Sequence, residues 1–472
     1  MAGRAILVAG VLAVAVALSG IASAQTPAEL VVDRARVITP QIAGYGGELN
    51  GRVYAAISRT VGVTEENVQE LQRKFAVLEP HMVRVFMNAG DLTDADRRDA
   101  AARALLLAQW SGATINLTWQ GGTLDVKSGT IPKLAAFLVE EVPKVGGLRW
   151  LTIQNEPNST KITLPAYEAQ YRALDRYLKD VRGQVSYMGG DLVRGAGTQG
   201  QAFWLQYMAA HMGDILDAWS IHVYWDYWDT QKLVDRLTEV RRISDSISPG
   251  ARRPLYVTEF GVRGLPSFSG AAADPGFWLD GTPLGRTNVA AFQESWFDVL
   301  AARLGYVATL KWDLNFGKYD NGTQSYWSIG PPTEGWPGLP SYNALHLLTA
   351  TVKPGWSVVA IHGDAGSKLV TAFTGPSDAL TLIGLDTAGA QLNSTSAIET
   401  TYDIGGLPPR TTLHLAVWNK YGDGAITNDP DVQSDASGFA TFAVPLQAVF
   451  ALTTGKRPQS SDVIWPNGTP SS

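Results

Sequence analysis

The stretch LTIQNEPN, at positions 151–158, predicts a strand that ends in an amide, a carboxylate and a proline. Its first four residues form the alternating, mostly apolar run of a half-buried strand, and Pro157 cannot donate a hydrogen bond to a neighbouring strand. The strand must therefore stop where Glu156 appears. A second run, PLYVTEFGV at positions 254–262, brings Glu259 to a strand end in the same way. Two carboxylates at two strand ends predict one shared site.

The first 24 residues have the pattern of a secretory signal peptide. Arg4 precedes an apolar run at 5–18, and the sequence Ala-Ser-Ala at 22–24 is a cleavage motif. This run of about 14 residues is too short for a membrane span, which needs roughly 20. No later stretch is long and apolar enough to span a bilayer. We therefore expect a secreted protein that makes no membrane contact once residues 1–24 are removed.

The composition excludes several classes of protein. The chain has no cysteine, so an exported form must be stabilised by its apolar core alone. The formal net charge is −6, with both signs spread along the chain, which argues against a nucleic-acid partner. The six histidines show no zinc-binding spacing, and we expect neither a metal nor a cofactor. The 15 Trp and 16 Tyr residues suit sugar binding, although large aromatic rings are also ordinary core residues.

Strand and helix patterns alternate between residues 41 and 354, which predicts βα units around a parallel sheet. Eight such units fit a (β/α)8 TIM barrel, whose site forms at the carboxyl ends of the strands. A doubly wound sheet is the alternative fold. The predicted strands cover residues 41–48, 82–86, 114–118, 150–154, 185–188, 218–223, 255–258 and 308–312.

After the barrel the pattern changes to short alternating strands separated by Gly, Asp, Asn and Ser. Residues 355–455 therefore predict an all-β domain, most simply a sandwich. Residues 25–40 also alternate, and we expect this N-terminal strand to join the sandwich. Residues 456–472 are rich in Pro, Ser and Gly and predict a loose tail.

The ends of the predicted strands carry polar and aromatic side chains that would meet at the barrel mouth. In strand order they are Glu48, Arg84, Trp119, Asn155 with Glu156, Asp191, His222 with Tyr224, Glu259, and Trp312.

These residues resemble the retaining glycoside hydrolases of clan A, over the barrel, about two-thirds of the chain. In that clan the acid/base glutamate follows an asparagine on strand four, and the nucleophile often stands in Glu-Phe-Gly on strand seven. The matching positions are Asn155-Glu156-Pro157, Glu259-Phe260-Gly261, Arg84, His222 with Tyr224, and Trp312. Glu-Phe-Gly and His-x-Tyr resemble family 5, whereas the appended β domain and the glycine-rich opening at 44–47 resemble families 30, 39, 51 and 79.

The resemblance implies hydrolysis of a polysaccharide or oligosaccharide by double displacement, with Glu156 as acid/base and Glu259 as nucleophile. Such a mechanism needs the two carboxyl groups about 5 to 5.5 Å apart. The resemblance also implies that Arg84 and Tyr224 stabilise the charged nucleophile.

The same resemblance places the remaining residues in the sugar pocket. Asn155 would hold the 2-hydroxyl and Trp312 would form the floor. Glu48, Trp119 and His222 are further candidate substrate contacts, although His222 is equally compatible with a buried structural histidine. The alternative function is a carbohydrate-binding barrel without catalysis.

Overall fold

The computed structural model describes residues 29–121, 124, 129–226, 230–263, 278–279, 282–317, 326–363, 366–390, 398–422 and 424–458. The predicted signal peptide, residues 1–24, lies outside the described residues. Of the predicted tail, only residues 456–458 are described.

Eight parallel strands close into a barrel. A strand outside the barrel, β1 (Leu30–Thr39), precedes them, and a two-stranded hairpin of β9 (Trp278–Leu279) and β10 (Thr282–Pro283) follows the seventh. The barrel strands are β2 (Gly44–Leu49), β3 (Met82–Met87), β4 (Thr114–Trp119), β5 (Leu148–Thr152), β6 (Ser186–Leu192), β7 (Ala218–Asp226), β8 (Leu255–Arg263) and β11 (Ala308–Lys311).

The helices follow the barrel strands in chain order. They are α1 (Ala56–Arg59), α2 (Val68–Leu78), α3 (Ala95–Trp110), α4 (Thr130–Glu141), α5 (Leu164–Tyr177), α6 (Gln201–His211), α7 (Thr230–Ser246), α8 (Asn288–Arg303) and α9 (Pro340–Thr351). In the described part of the chain, no helix combines the length and the apolar character that a membrane span requires.

The glycine-rich strand β2 lets the barrel close between β3 and β11. A Cβ atom on Gly46 would lie 1.8 Å from the carbonyl oxygen of Met82, and one on Gly47 would lie 2.7 Å from that of Lys311. Any other residue at these two positions would push the neighbouring strands apart. The Gly44-Tyr45-Gly46-Gly47 sequence is thus explained by close backbone packing.

The C-terminal domain is a mostly antiparallel sheet. Its strands are β12 (Ser357–His362), β13 (Lys368–Thr374), β14 (Leu380–Asp386), β15 (Glu399–Gly405), β16 (Thr412–Asn419), β17 (Ile426–Asn428), β18 (Val432–Gln433), β19 (Ala440–Pro445) and β20 (Ala448–Thr453). The N-terminal strand β1 lies between β12 and β15.

The two ends of this sheet face each other across one apolar core. Tyr402 of β15 and Phe442 of β19 pack against Phe450 of β20, with ring centroids 4.8 and 5.2 Å away, although β20 lies far from both in the strand order. The barrel with a C-terminal all-β domain confirms the predicted fold class. One strand predicted at 439–452 is in fact two, β19 and β20, because the chain turns between them after Pro445.

The sheet domain packs on helices α8 and α9 of the barrel. Every residue of α8 from 290 to 302 is buried, so this helix has no solvent-exposed central face. Thr371 donates a hydrogen bond of 2.8 Å to the carbonyl oxygen of Val299, and Thr381 donates one of 2.9 Å to that of Thr351. The barrel and the sheet domain therefore share one continuous core.

We expect a chain truncated after residue 354 to be insoluble, because the removal of the sheet domain exposes the apolar faces of α8 and α9. The measurement is the soluble fraction on expression, with thermal unfolding of any soluble material. A chain that ends after residue 458 is the matched control and should stay soluble. A soluble, cooperatively unfolding barrel from the shorter chain would show that the two domains are independent.

Candidate active site

Two carboxyl groups, those of Glu156 and Glu259, lie together at the barrel mouth. One oxygen of each lies within 4.8 Å of the other and of a ring nitrogen of His222. Glu156 follows β5 in a left-handed conformation with φ +46° and ψ +50°, which costs a non-glycine residue roughly 1–3 kcal/mol. Asn158 fixes the next turn, because its amide donates to the carbonyl oxygens of Val193 and Gln199, both at 2.7 Å.

The Arg84 guanidinium joins the ends of four barrel strands. Its Nη1 donates to Oε2 of Glu259 at 2.7 Å, and its Nη2 donates to Asn155 Oδ1 and Asp191 Oδ2, both at 2.6 Å. Its Nε donates to the Thr118 hydroxyl at 3.1 Å. The side chain is completely buried, and such a charge is tolerated only when its partners compensate for lost hydration. Arg84 thus fixes the nucleophile candidate and the neighbouring amide in one geometry.

The two glutamates differ in their surroundings. Glu259 is 9% exposed and accepts hydrogen bonds from Arg84 and, at 2.6 Å, from the Tyr224 hydroxyl. Glu156 is 30% exposed and contacts the Nδ1 atom of His222 at 3.0 Å. Two strong donors therefore hold Glu259 in place, while Glu156 is the more open of the two carboxyl groups.

His222 lies beneath both carboxyl groups and is completely buried. Burial opposes its protonation, but the negative charges of Glu259 and Asp191, together with the hydrogen bond to Glu156, outweigh burial and raise the pKa of His222 to about 9. The histidine therefore carries a positive charge at neutral pH. It contacts carboxylates on three sides, which is more than a purely structural histidine needs.

Asp191 is a member of the site that the sequence placed at a strand end without giving it a function. Burial alone would raise its pKa, but the positive charges of Arg84 and His222 and the hydrogen bond from Thr258 hold the pKa well below its ordinary value. The preceding Gly190 has a φ of +129°, and a Cβ there would lie 2.2 Å from the carbonyl oxygen of Ser220. The only sequence signal was this Gly-Asp pair after a predicted strand.

Glu48 is completely buried, at the level of Arg84 on the adjacent strand β3. Its charge acts on the nearby carboxyl group of Asp313, which is also completely buried. Burial and then the charge of Glu48 raise the pKa of Asp313 well above its ordinary value, which favours the protonated form of Asp313. Glu48 was predicted as a substrate contact, and the structure places it behind Arg84 with no exposed surface.

The aromatic candidates line the same mouth. Trp119 and Trp312 are 3% and 7% exposed. The backbone N–H of Asn155 donates to the Trp119 carbonyl oxygen at 2.9 Å, and the Trp312 ring packs edge-on against Phe86 with a centroid distance of 5.6 Å. The structure thus brings all nine predicted site residues to one end of the barrel.

A metal ion is one possible occupant of the Glu156, His222 and Glu259 group, since each offers one ligand atom. Their donor atoms are already engaged, however: Glu259 accepts from Arg84 and Tyr224, and His222 contacts Glu156. A metal-binding histidine is also neutral, whereas the surroundings of His222 favour its cation. The donor set therefore fits a hydrogen-bonded network better than a metal centre.

No protein-family model matches the chain, and no curated protein matches it. Its fold is similar to that of a family 51 α-L-arabinofuranosidase from Bifidobacterium longum, with a TM-score of 0.64, 12% identity, and coverage of 91% of this chain and 100% of that chain. A GH30 endoxylanase from Clostridium papyrosolvens matches with a TM-score of 0.59, 13% identity, and coverage of 90% and 99%. A glucosidase from Croceicoccus marinus matches with a TM-score of 0.61, 15% identity, and coverage of 90% and 98%. At such low identity the likeness shows a shared fold over nearly the whole chain.

The substitution Arg84→Met should lower the free energy of unfolding by about 3–5 kcal/mol, because it removes the guanidinium that pairs with the buried carboxylate of Asp191. The double variant Arg84→Met/Asp191→Asn removes that charge and should be more stable than the single variant. Urea unfolding measures both. Arg172→Met, which breaks exposed ion pairs to Glu168 and Asp214, is the control and should cost less than about 1 kcal/mol. A double variant no more stable than Arg84→Met would contradict the assigned charge pair.

Proposed function

We propose that this chain is a secreted retaining glycoside hydrolase that cleaves a polysaccharide or oligosaccharide by double displacement. The proposal rests on two neighbouring carboxyl groups with different hydrogen-bond partners. Glu259 accepts hydrogen bonds from Arg84 and Tyr224, whereas Glu156 forms one with His222. A separation within 4.8 Å between their oxygens leaves no room for the water that an inverting enzyme places between carboxyl groups roughly 6.5–9.5 Å apart.

In the first step, Glu259 attacks the anomeric carbon while Glu156 protonates the leaving oxygen. Arg84 and Tyr224 hold the two oxygens of Glu259, so attack needs little reorganisation of the carboxylate. In the second step, Glu156 removes a proton from water, and that water releases the sugar from Glu259. Both steps use side chains that the barrel already holds in place.

Asn155 supports the same reaction from the neighbouring position. Its Oδ1 is occupied by Arg84, so its amide N–H groups are the part available to a sugar hydroxyl. Trp312 and Trp119 supply aromatic faces at the mouth, and such faces pack against the C–H surface of a sugar ring. No cofactor is required for this chemistry.

The similar folds belong to proteins described as an arabinofuranosidase, an endoxylanase, a glucosidase and an endo-β-1,6-glucanase. Their common reaction class supports cleavage of an O-glycosidic bond by this chain. Because these proteins act on different sugars, the substrate is to be identified with a panel of aryl glycosides and polysaccharides. A carbohydrate-binding barrel without catalysis would have no need for a buried arginine and a tyrosine on one of two adjacent carboxylates.

Azide should separate the roles of the two glutamates. Glu259→Ala leaves the acid in place, and azide should attack from the vacated side to give an inverted glycosyl azide. Glu156→Ala should still cleave substrates with good leaving groups, accumulate the glycosyl-enzyme, and give a retained azide product. Product analysis by NMR distinguishes the two.

Glu141→Ala is the control for those variants, because Glu141 is a buried glutamate at the end of α4 that pairs with Lys144 far from the mouth in the fold. It should keep full activity. An alanine variant of Glu156 or Glu259 with undiminished activity on an unactivated glycoside would rule out the two-glutamate mechanism.

The substitution Tyr224→Phe removes the hydrogen bond to Oε1 of Glu259 and should slow formation of the glycosyl-enzyme, with little change in substrate affinity. Pre-steady-state kinetics with an activated aryl glycoside measure this step. Tyr256→Phe is the matched control, since this buried tyrosine of β8 packs on Trp150 instead. A change in affinity alone would make Tyr224 a substrate contact, and an unchanged rate would remove it from the site.

A further inference from the structure

Asp191 offers only an ionised carboxylate to its neighbours. Its Oδ2 accepts from Arg84 at 2.6 Å, and its Oδ1 accepts from the hydroxyl groups of Ser220 at 2.7 Å and Thr258 at 2.5 Å. The side chain is completely buried, so these donors replace its water shell. Every one of these contacts requires Asp191 to accept, and a carboxylate in this position cannot supply a proton to a neighbour.

His222 stands between this carboxylate and the acid/base candidate. Its Nε2 lies 3.6 Å from Asp191 Oδ1, while its Nδ1 lies 3.0 Å from Glu156 Oε1 and 3.6 Å from Glu259 Oε2. The cations nearby are already committed: Arg84 to Asp191 and Glu259, and Arg236 of α7 to the backbone carbonyl of His222. The imidazole is therefore surrounded by three carboxyl groups from three different strand ends.

We propose that Asp191 is a positioning residue whose negative charge, 3.6 Å from Nε2 of His222, holds the imidazole so that Nδ1 donates to Oε1 of Glu156. This inference rests on the proposed function and extends it to the location of the catalytic proton. Since Oε1 already accepts from His222, the acid proton of Glu156 lies on Oε2.

The proton then follows one path through both steps. Glu156 Oε2 gives its proton to the glycosidic oxygen as the bond from that oxygen to the anomeric carbon breaks and the bond from Glu259 forms. The resulting carboxylate keeps its hydrogen bond from His222 Nδ1. In the second step, Oε2 takes a proton from water as the water oxygen displaces Glu259, which restores the starting state. His222 keeps both ring protons throughout, so it orients the acid and does not exchange with it.

The direct test is the protonation state of His222, measured by ¹⁵N NMR of the imidazole in the full-length protein without substrate. We expect both ring nitrogens to be protonated at neutral pH, with titration near pH 9. Asp191→Asn should lower the pKa of His222 by roughly 1 to 3 units, since it removes a neighbouring negative charge. Asp298→Asn is the control, because this buried carboxyl group of α8 bonds to Thr309 and not to His222. A neutral His222 at pH 7 in the wild type would overturn the proposal, even if Asp191→Asn fails to fold.

Activity provides the second measurement. Asp191→Asn should reduce kcat/KM more for a poor leaving group than for a dinitrophenol, with a difference of about tenfold or more, because only the poor leaving group depends on the acid. Its rate should also fall at a lower alkaline pH than that of the wild type. An equal loss for both leaving groups would assign the effect to Arg84 and overturn the proposed link to His222. A chain without glycosidase activity would contradict the proposed function, while the NMR titration would still decide the proton positions.

Discussion

The candidate site depends on the hydrogen bonds that the buried guanidinium of Arg84 makes. A charge that is completely buried loses its hydration, and only good hydrogen-bond geometry to several partners can offset that loss. Arg84 has such partners on four other strand ends, Thr118, Asn155, Asp191 and Glu259. A small shift of any of these strands would break one of these bonds. The register of the barrel strands therefore sets the geometry of the site.

The close packing of strand β2 against its neighbours belongs to the same arrangement around Arg84. Glu48 of β2 lies in register with Arg84 of β3, and the glycines Gly46 and Gly47 let β2 approach both of its neighbours. Glu48 adds a negative charge behind Arg84, while burial and the charge of Glu48 raise the pKa of Asp313 and so oppose a second buried charge beside it. The electrostatic arrangement is therefore complete before a sugar binds, and pre-arranged charges are the main way in which proteins stabilise a charged transition state.

Much of the fold and part of the site could be predicted from sequence, because the barrel strands have strong local patterns. Glu156 and Glu259 were found because each ends an apolar run beside a characteristic Pro or Gly. The function of Asp191 was not found, since its partners Arg84 and Thr258 lie far away in sequence and a carboxylate after a strand resembles an ordinary loop residue.

Burial is the other property that the sequence did not show. Glu48 was expected to face the substrate because it ends a strand at the mouth. Whether a side chain at a strand end faces solvent or a neighbouring strand depends on the tilt and closure of the barrel, which local patterns do not encode. The division of the stretch at 439–452 into β19 and β20 has a similar origin, because it depends on pairing with β15 and β14, both distant in sequence.

If Glu259 forms a covalent bond with the sugar, the first-formed product must have the same anomeric configuration as the substrate. Proton NMR can follow the anomeric signal of the sugar that the wild-type protein releases from an aryl glycoside, before mutarotation mixes the two anomers. We expect a first product with the configuration of the substrate, because two successive inversions restore it. A first product of opposite configuration would show that water attacks directly and would contradict the assignment of Glu259 as nucleophile.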